Sequence, residues 1–258
     1  MQMNIVVATS RGGGIAGRIK NPDYPTMVIV KPGWKLQALA DLAVSCIPPD
    51  YRYKHTTHIY FMAGYTDITT RTTSRNPKHD EITYPDAPEA TLQKVKHTML
   101  TVSNHITSSG AIPIFCTIIP GKLRKWNIHR QKIGKTIELT HLADYTHMQK
   151  NLEIAVDLIN TEITIINSTN NMSTPYLHTA IKRRVGPKEH PKTQYYYNHL
   201  HDGVHPDAKT RDVWAKSLLK VIHLNRNKST DSDSDEGKSP KRSWKITKPS
   251  LKKKYKKI

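Results

Sequence analysis

This 258-residue sequence predicts a three-layer α/β/α domain around a central, mostly parallel, five-stranded sheet. Three observations carry the prediction. Short β-branched apolar runs recur along the chain, each is closed by a glycine-, proline- or serine-rich break, and segments of helical periodicity lie between them. Strands that alternate with amphipathic helices fold into parallel sheets covered on both faces.

Residues 4–9 (NIVVAT) form the first expected strand, broken by Ser10-Arg11-Gly12-Gly13-Gly14. A second, 27–30 (MVIV), stops at Lys31-Pro32-Gly33, and 36–44 follow with apolar positions 36, 39, 42 and 44 at helical spacing. The third strand is 58–62 (HIYFM), ending at Ala63-Gly64. After a polar loop, a helix is expected over 87–106 and a fourth strand over 111–119 (AIPIFCTII), closed by Pro120-Gly121. A helix over 142–159 and a fifth strand at 163–166 (ITII) follow. The last helix, 208–224, carries Val213, Trp214, Leu218, Val221 and Ile222 on its apolar face.

The folded domain is therefore read as 1–224. Residues 225–258 have almost no apolar periodicity and cannot bury enough to offset their ordering entropy, so they read as a disordered basic tail. Forty Lys+Arg against 21 Asp+Glu give a net charge of +19, of which +8 lies in this tail. Such a balance favours polyanionic partners, including non-specific nucleic acid, through both body and tail.

Within the tail, Ser232 and Ser234 stand among Asp231, Asp233, Asp235 and Glu236, a context for acidophilic kinases. Beyond them, Lys241-Arg242 and the cluster Lys252, Lys253, Lys254, Lys256 and Lys257 read as a nuclear-import signal. Cys46 and Cys116 sit alone in apolar runs, as buried free thiols of a reducing compartment do. No apolar run reaches the roughly 18 residues of a membrane span, and the expected location is intracellular, in the nucleus.

Ser10, Gly33 and Gly64 each fall at the carboxyl end of an expected strand, where open α/β sheets gather reactive groups. The stretch HLHDGVHP adds His199, His201, Asp202 and His205 before the last helix. From the residues alone this loop has three readings: a basic surface loop with His199 and His201 facing solvent, the acid–base half of a catalytic triad, or, with Asp67, a divalent-metal set of the kind a nuclease uses. Gly12 to Gly14 suggest a phosphate-cradling loop, but no Gly-Lys-Ser/Thr follows, which argues against one.

Four blocks taken in order resemble the SGNH (GDSL-like) hydrolases, most of all the esterase-like domains carried by some mobile elements and viruses. IVVATS ends at Ser10 where that family has Gly-Asp-Ser, and KPGW supplies Gly33 after the second strand. AGYTDI stands where the family has Gly-x-Asn-Asp, and Asp202 to His205 match its Asp-x-x-His. The resemblance spans about residues 3 to 224 and implies a flavodoxin-like hydrolase fold acting on a small ester.

It also implies roles. Ser10 is the nucleophile, His205 its general base, and Asp202 the carboxylate that fixes the imidazole. The backbone N–H groups of Ser10 and Gly33 form the oxyanion hole, with Thr66 where the family has asparagine. Threonine offers one shorter-reaching hydroxyl donor, and Ala8-Thr9 replaces the Gly-Asp before the nucleophile. Neither a cofactor nor a metal is expected on this reading. The rivals are a catalytically weakened domain of the same fold that binds nucleic acid or protein, and a metal-dependent nuclease.

Overall fold

Alternation decides which way each strand faces. In β1 (Met3–Ala8), Ile5 and Val7 turn to one side of the sheet while Val6 and Ala8 turn to the other. All four are buried, the signature of a strand covered on both faces. The chain continues through β2 (Thr26–Val30), α1 (Leu36–Ser45), β3 (Thr57–Met62) and the single turn α2 (Tyr65–Ile68). Next come β4 (Thr70–Arg75), β5 (Lys78–Thr83), α3 (Pro88–Ser108), β6 (Ala111–Phe115), α4 (Leu123–Lys132) and α5 (Tyr145–Thr169). The hairpin β7 (Lys182–Val185) and β8 (Lys192–Tyr195) precedes α6 (Ala208–Asp231). The structure is a computed structural model that describes residues 2–19, 25–49, 56–75, 78–84, 87–135, 139, 145–187 and 192–231.

Four strands make the central sheet, in the order β2-β1-β3-β6 and all parallel. Helices α1, α3 and α5 cover one face with Leu39, Met99, Val102, Leu152 and Val156. Helix α6 covers the other with Trp214, Leu218 and Ile222. The three-layer α/β/α architecture is as the sequence predicts. Order reverses between β1 and β3, so a crevice opens beyond their carboxyl ends.

The fifth strand does not form. Residues 163–166 lie inside α5, whose buried positions Leu152, Ala155, Ile159, Ile163 and Ile166 keep steps of three and four. Ile165 is 53% exposed, as a helix demands and a central strand would not allow. The 3.6-residue period overrides the β-branched run.

The sheet therefore ends at β6, whose outer edge is buried beneath α5. Side-chain amides of α5 take the place of the missing neighbour. Asn167 accepts from the Phe115 N–H at 3.0 Å and donates to the Phe115 carbonyl at 2.8 Å. Asn160 does the same for Ile118, at 2.6 and 2.8 Å. Each amide satisfies a donor and an acceptor that would otherwise be stranded without water.

Other departures have local causes. The polar loop after β3 contains the β4–β5 hairpin, a threonine-rich ribbon anchored where Asn127 of α4 pairs with both backbone groups of Ile82. Helix α6 runs to Asp231, seven residues past the expected boundary at 224. The reason is Asn225, buried and accepting from the Ser173 N–H at 2.7 Å. Cys116 is buried as expected, Cys46 only half-buried, and both are free thiols. Ser232, Ser234, Lys241, Arg242 and the Lys252–Lys257 cluster lie outside the described residues. Among those described, no helix is long and apolar enough to cross a membrane.

Asn167→Leu fills the same space but strands the Phe115 N–H and carbonyl. A loss of about 2–4 kcal/mol is expected, read as a lowered urea midpoint at unchanged m-value.

Candidate active site

The crevice is built by four chain segments that leave the sheet edge. The first is the turn after β1. Thr9 stays extended and donates to the Met62 carbonyl at 3.3 Å, then Ser10 opens a single 3-10 turn through Gly12. That turn folds back so closely that a Cβ on Gly12 would stand 2.3 Å from the Ala8 Cβ. Ser10 is thus held half-buried at the carboxyl end of the central strand β1.

Arg11, the next residue, turns inward. Its guanidinium lies 3.8 Å over the Tyr65 ring and donates to the Ile119 carbonyl. Burial lowers its pKa to about 10, partly opposed by Tyr65 and by the nearby charge of Asp202. Arg11 therefore stays protonated at neutral pH and ties the Ser10 turn to the region of the histidine loop.

The second and third segments are clamped together. Gly33 lies in an exposed turn after β2, near where the Lys31 N–H donates to the Ala8 carbonyl at 2.8 Å. The Asp67 carboxylate accepts the Leu36 N–H, both oxygens at 3.3 Å, and so caps the start of α1. Burial pushes its pKa up to about 6, against the pull of that N–H. Gly64 has φ of +107°, and a Cβ there would meet Ile118 at 2.5 Å, so only glycine lets the segment turn.

Thr66 donates its hydroxyl hydrogen to the Trp34 carbonyl at 2.7 Å. The sequence suggests a threonine pointing at an oxyanion. In this structure its single hydroxyl hydrogen instead fastens the Gly33 turn from the side.

The fourth segment is the histidine loop. Asp202 is 5% exposed, and its Oδ1 accepts the N–H groups of Val204 at 2.9 Å and His205 at 2.7 Å. Its Oδ2 lies 2.6 Å from His205 Nδ1. Burial alone would raise the Asp202 pKa, but the His205 ring and the two backbone N–H groups outweigh it. The carboxyl is held well below the usual carboxylate range. With Nδ1–H donated to Asp202, His205 keeps Nε2 as its accepting nitrogen. Asp207 then caps α6 through the Thr210 N–H at 2.7 Å.

Asp202 and His205 are thus brought together at the sheet's carboxyl edge. Among the described residues the Ser10 hydroxyl makes no hydrogen bond to His205, so the dyad is formed and the third link is not. His201, Asp202 and His205 bring a donor atom each within 4.8 Å of one another, a set that fits a metal ion. His199 stands apart, directed at Asp207 and Arg183. Two contributors escape the sequence reading. Arg11 reads there as part of a flexible turn, and Trp126 of α4 packs its ring 5.6 Å from His205.

Strand order, helix layers and the dyad's place define the fold as that of the SGNH (GDSL-like) hydrolases. A proposed acylhydrolase from Bacteroides fragilis NCTC 9343 has a similar structure, with TM-score 0.51 and 13% identity over 88% of this chain and 87% of that one. A GDSL-like lipase from Bacteroides thetaiotaomicron VPI-5482 gives TM-score 0.50 and 11% identity, covering 86% and 88%. No protein-family profile and no curated protein sequence matches the chain.

Thr66→Val removes the bond to Trp34 and is expected to cost about 0.5–1.5 kcal/mol. Thr66→Ser keeps the hydroxyl and most of that stability, and chemical denaturation of the three proteins checks the order.

Proposed function

We propose that the chain is a serine-dependent hydrolase of small esters. The observation that carries this reading is the Asp202–His205 dyad, at 2.6 Å, on the same sheet edge that ends at Ser10. The likeness in fold to a proposed acylhydrolase and a GDSL-like lipase supports it.

Ser10 Oγ attacks the ester carbonyl carbon as His205 Nε2 takes its proton, and Asp202 steadies the imidazolium that results. The carbonyl oxygen gains negative charge and needs donors, which the N–H groups of Ser10 and Gly33 supply. His205 returns the proton to the departing alcohol, leaving an acyl group on Ser10. A water then attacks the acyl carbon as the same ring takes its proton, and the ring returns that proton to Ser10 Oγ as the bond to the acyl group breaks and the acid leaves. With Thr66 bonded to Trp34, a third oxyanion donor comes only at the expense of that bond. One missing donor slows such chemistry by about 10²–10³, so a slow hydrolase is expected.

The metal set favours a second reading, a metal-dependent nuclease. Filling it would compete with the 2.6 Å bond between Asp202 and His205. Hydrolysis of 4-nitrophenyl acetate separates the two. Ser10→Ala and His205→Ala are each expected to lose about 10³-fold or more in kcat/KM, with no effect of a chelator on the wild type. Activity untouched in Ser10→Ala rejects the serine mechanism. Nucleic-acid cleavage abolished by a chelator and restored by a divalent cation establishes the second reading.

A further inference from the structure

Beside the dyad lies a second feature that ester hydrolysis as such does not require. A pocket of about 530 Å³ opens between α4 and the histidine loop, with Asp202 and His201 in its wall. That volume suits a small ligand. One helical face supplies much of the lining: Lys125, Ile128, His129 and Lys132, spaced three, four and seven residues apart. Lys122, just before the helix, and Arg124, in its first turn, join them.

The cations are positioned as well as numerous. Lys122 Nζ lies 5.2 Å over the Tyr197 ring, and Lys125 Nζ donates to the Leu200 carbonyl at 2.6 Å, two residues before Asp202. Among the described residues, none of Lys122, Arg124, Lys125, His129 and Lys132 makes an ion pair. Among the described residues the only carboxylate in the lining is Asp202, already committed to His205 and two backbone N–H groups. Like charges along one helix face repel one another, and among the described residues no carboxylate pairs with them here.

We infer that this pocket binds a phosphate or diphosphate group carried by the ester substrate, and so presents the ester carbonyl to Ser10 and His205. Lysine serves as a point charge for phosphate, and arginine grips it with two donors. This substrate class rests on the hydrolase reading above; the binding of the anion does not.

Arg124 and Lys132 are exposed, so Arg124→Gln/Lys132→Gln keeps the fold and the basic tail while removing two pocket charges. Calorimetric titration of the full chain with inorganic pyrophosphate, at fixed salt, is expected to show one site weakened about tenfold or more in the double variant. In kinetics, wild type is expected to prefer 2-acetoxyethyl phosphate over ethyl acetate, mainly through KM, and the variant to lose most of that preference. Equal pyrophosphate binding by both proteins overturns the pocket. A pyrophosphate site that weakens in the variant, with neither ester hydrolysed by wild type, upholds the pocket and rejects the hydrolase. Hydrolysis of both esters without preference rejects the substrate class and leaves the hydrolase standing. A single-stranded oligonucleotide that displaces pyrophosphate with much higher affinity and steep salt dependence replaces the small substrate with nucleic acid.

Discussion

A buried sheet edge is the constraint from which the rest of this structure follows. Among the described residues strand β6 has a strand neighbour on one side only, and its other side lies under α5. Asn167 and Asn160 answer with amides that copy the hydrogen bonding of a peptide group. The device repeats one step on, where Gln149 accepts from the Leu123 N–H and donates to the Gly121 carbonyl, each at 3.0 Å. Three amides from one helix thereby fix the path of the chain from Phe115 to Leu123. That path supplies the Ile119 carbonyl that receives Arg11 and leads into α4, which carries Trp126 to His205.

From this edge the crevice is assembled by short-range bonds. Asp67 holds the start of α1, Thr66 holds the Trp34 carbonyl, and Asp202 gathers its own loop through two backbone N–H groups before it reaches His205. Asp67 and Asp202 are local organisers first, and Asp202 also bonds the His205 ring. The burial of Arg11 beneath the Ser10 turn sets a positive charge close to Asp202, which helps keep that carboxyl ionised.

Much of this was legible in the sequence. The strands β1, β2, β3 and β6 stand out because a strand buried on both faces is a compact apolar run, and the breaks after them mark the crevice. The Asp-x-x-His spacing was informative because a carboxylate three residues ahead reaches both the backbone N–H and the ring of the histidine. The run ITII misled because four β-branched residues carry no period of their own; only the longer window from Leu152 to Ile166 reveals the helix. A corrective signal was present in Pro113, since proline in a strand belongs at a sheet edge and argues against a fifth strand beyond β6. The hairpin β4–β5 and helix α4 were hidden by their polarity, for beside a few apolar anchors, Ile82, Leu123 and Trp126, they are joined through Asn127. At Thr66 the sequence registers the kind of donor and not the acceptor it serves in the structure, the Trp34 carbonyl.

The length of α6 has a geometric implication. Its first turn follows directly on the histidine loop, and its 24 residues rise by about 36 Å. Its last residue, Asp231, therefore stands roughly one small-domain diameter from the dyad, at the far end of the rod whose first turn frames the histidine loop.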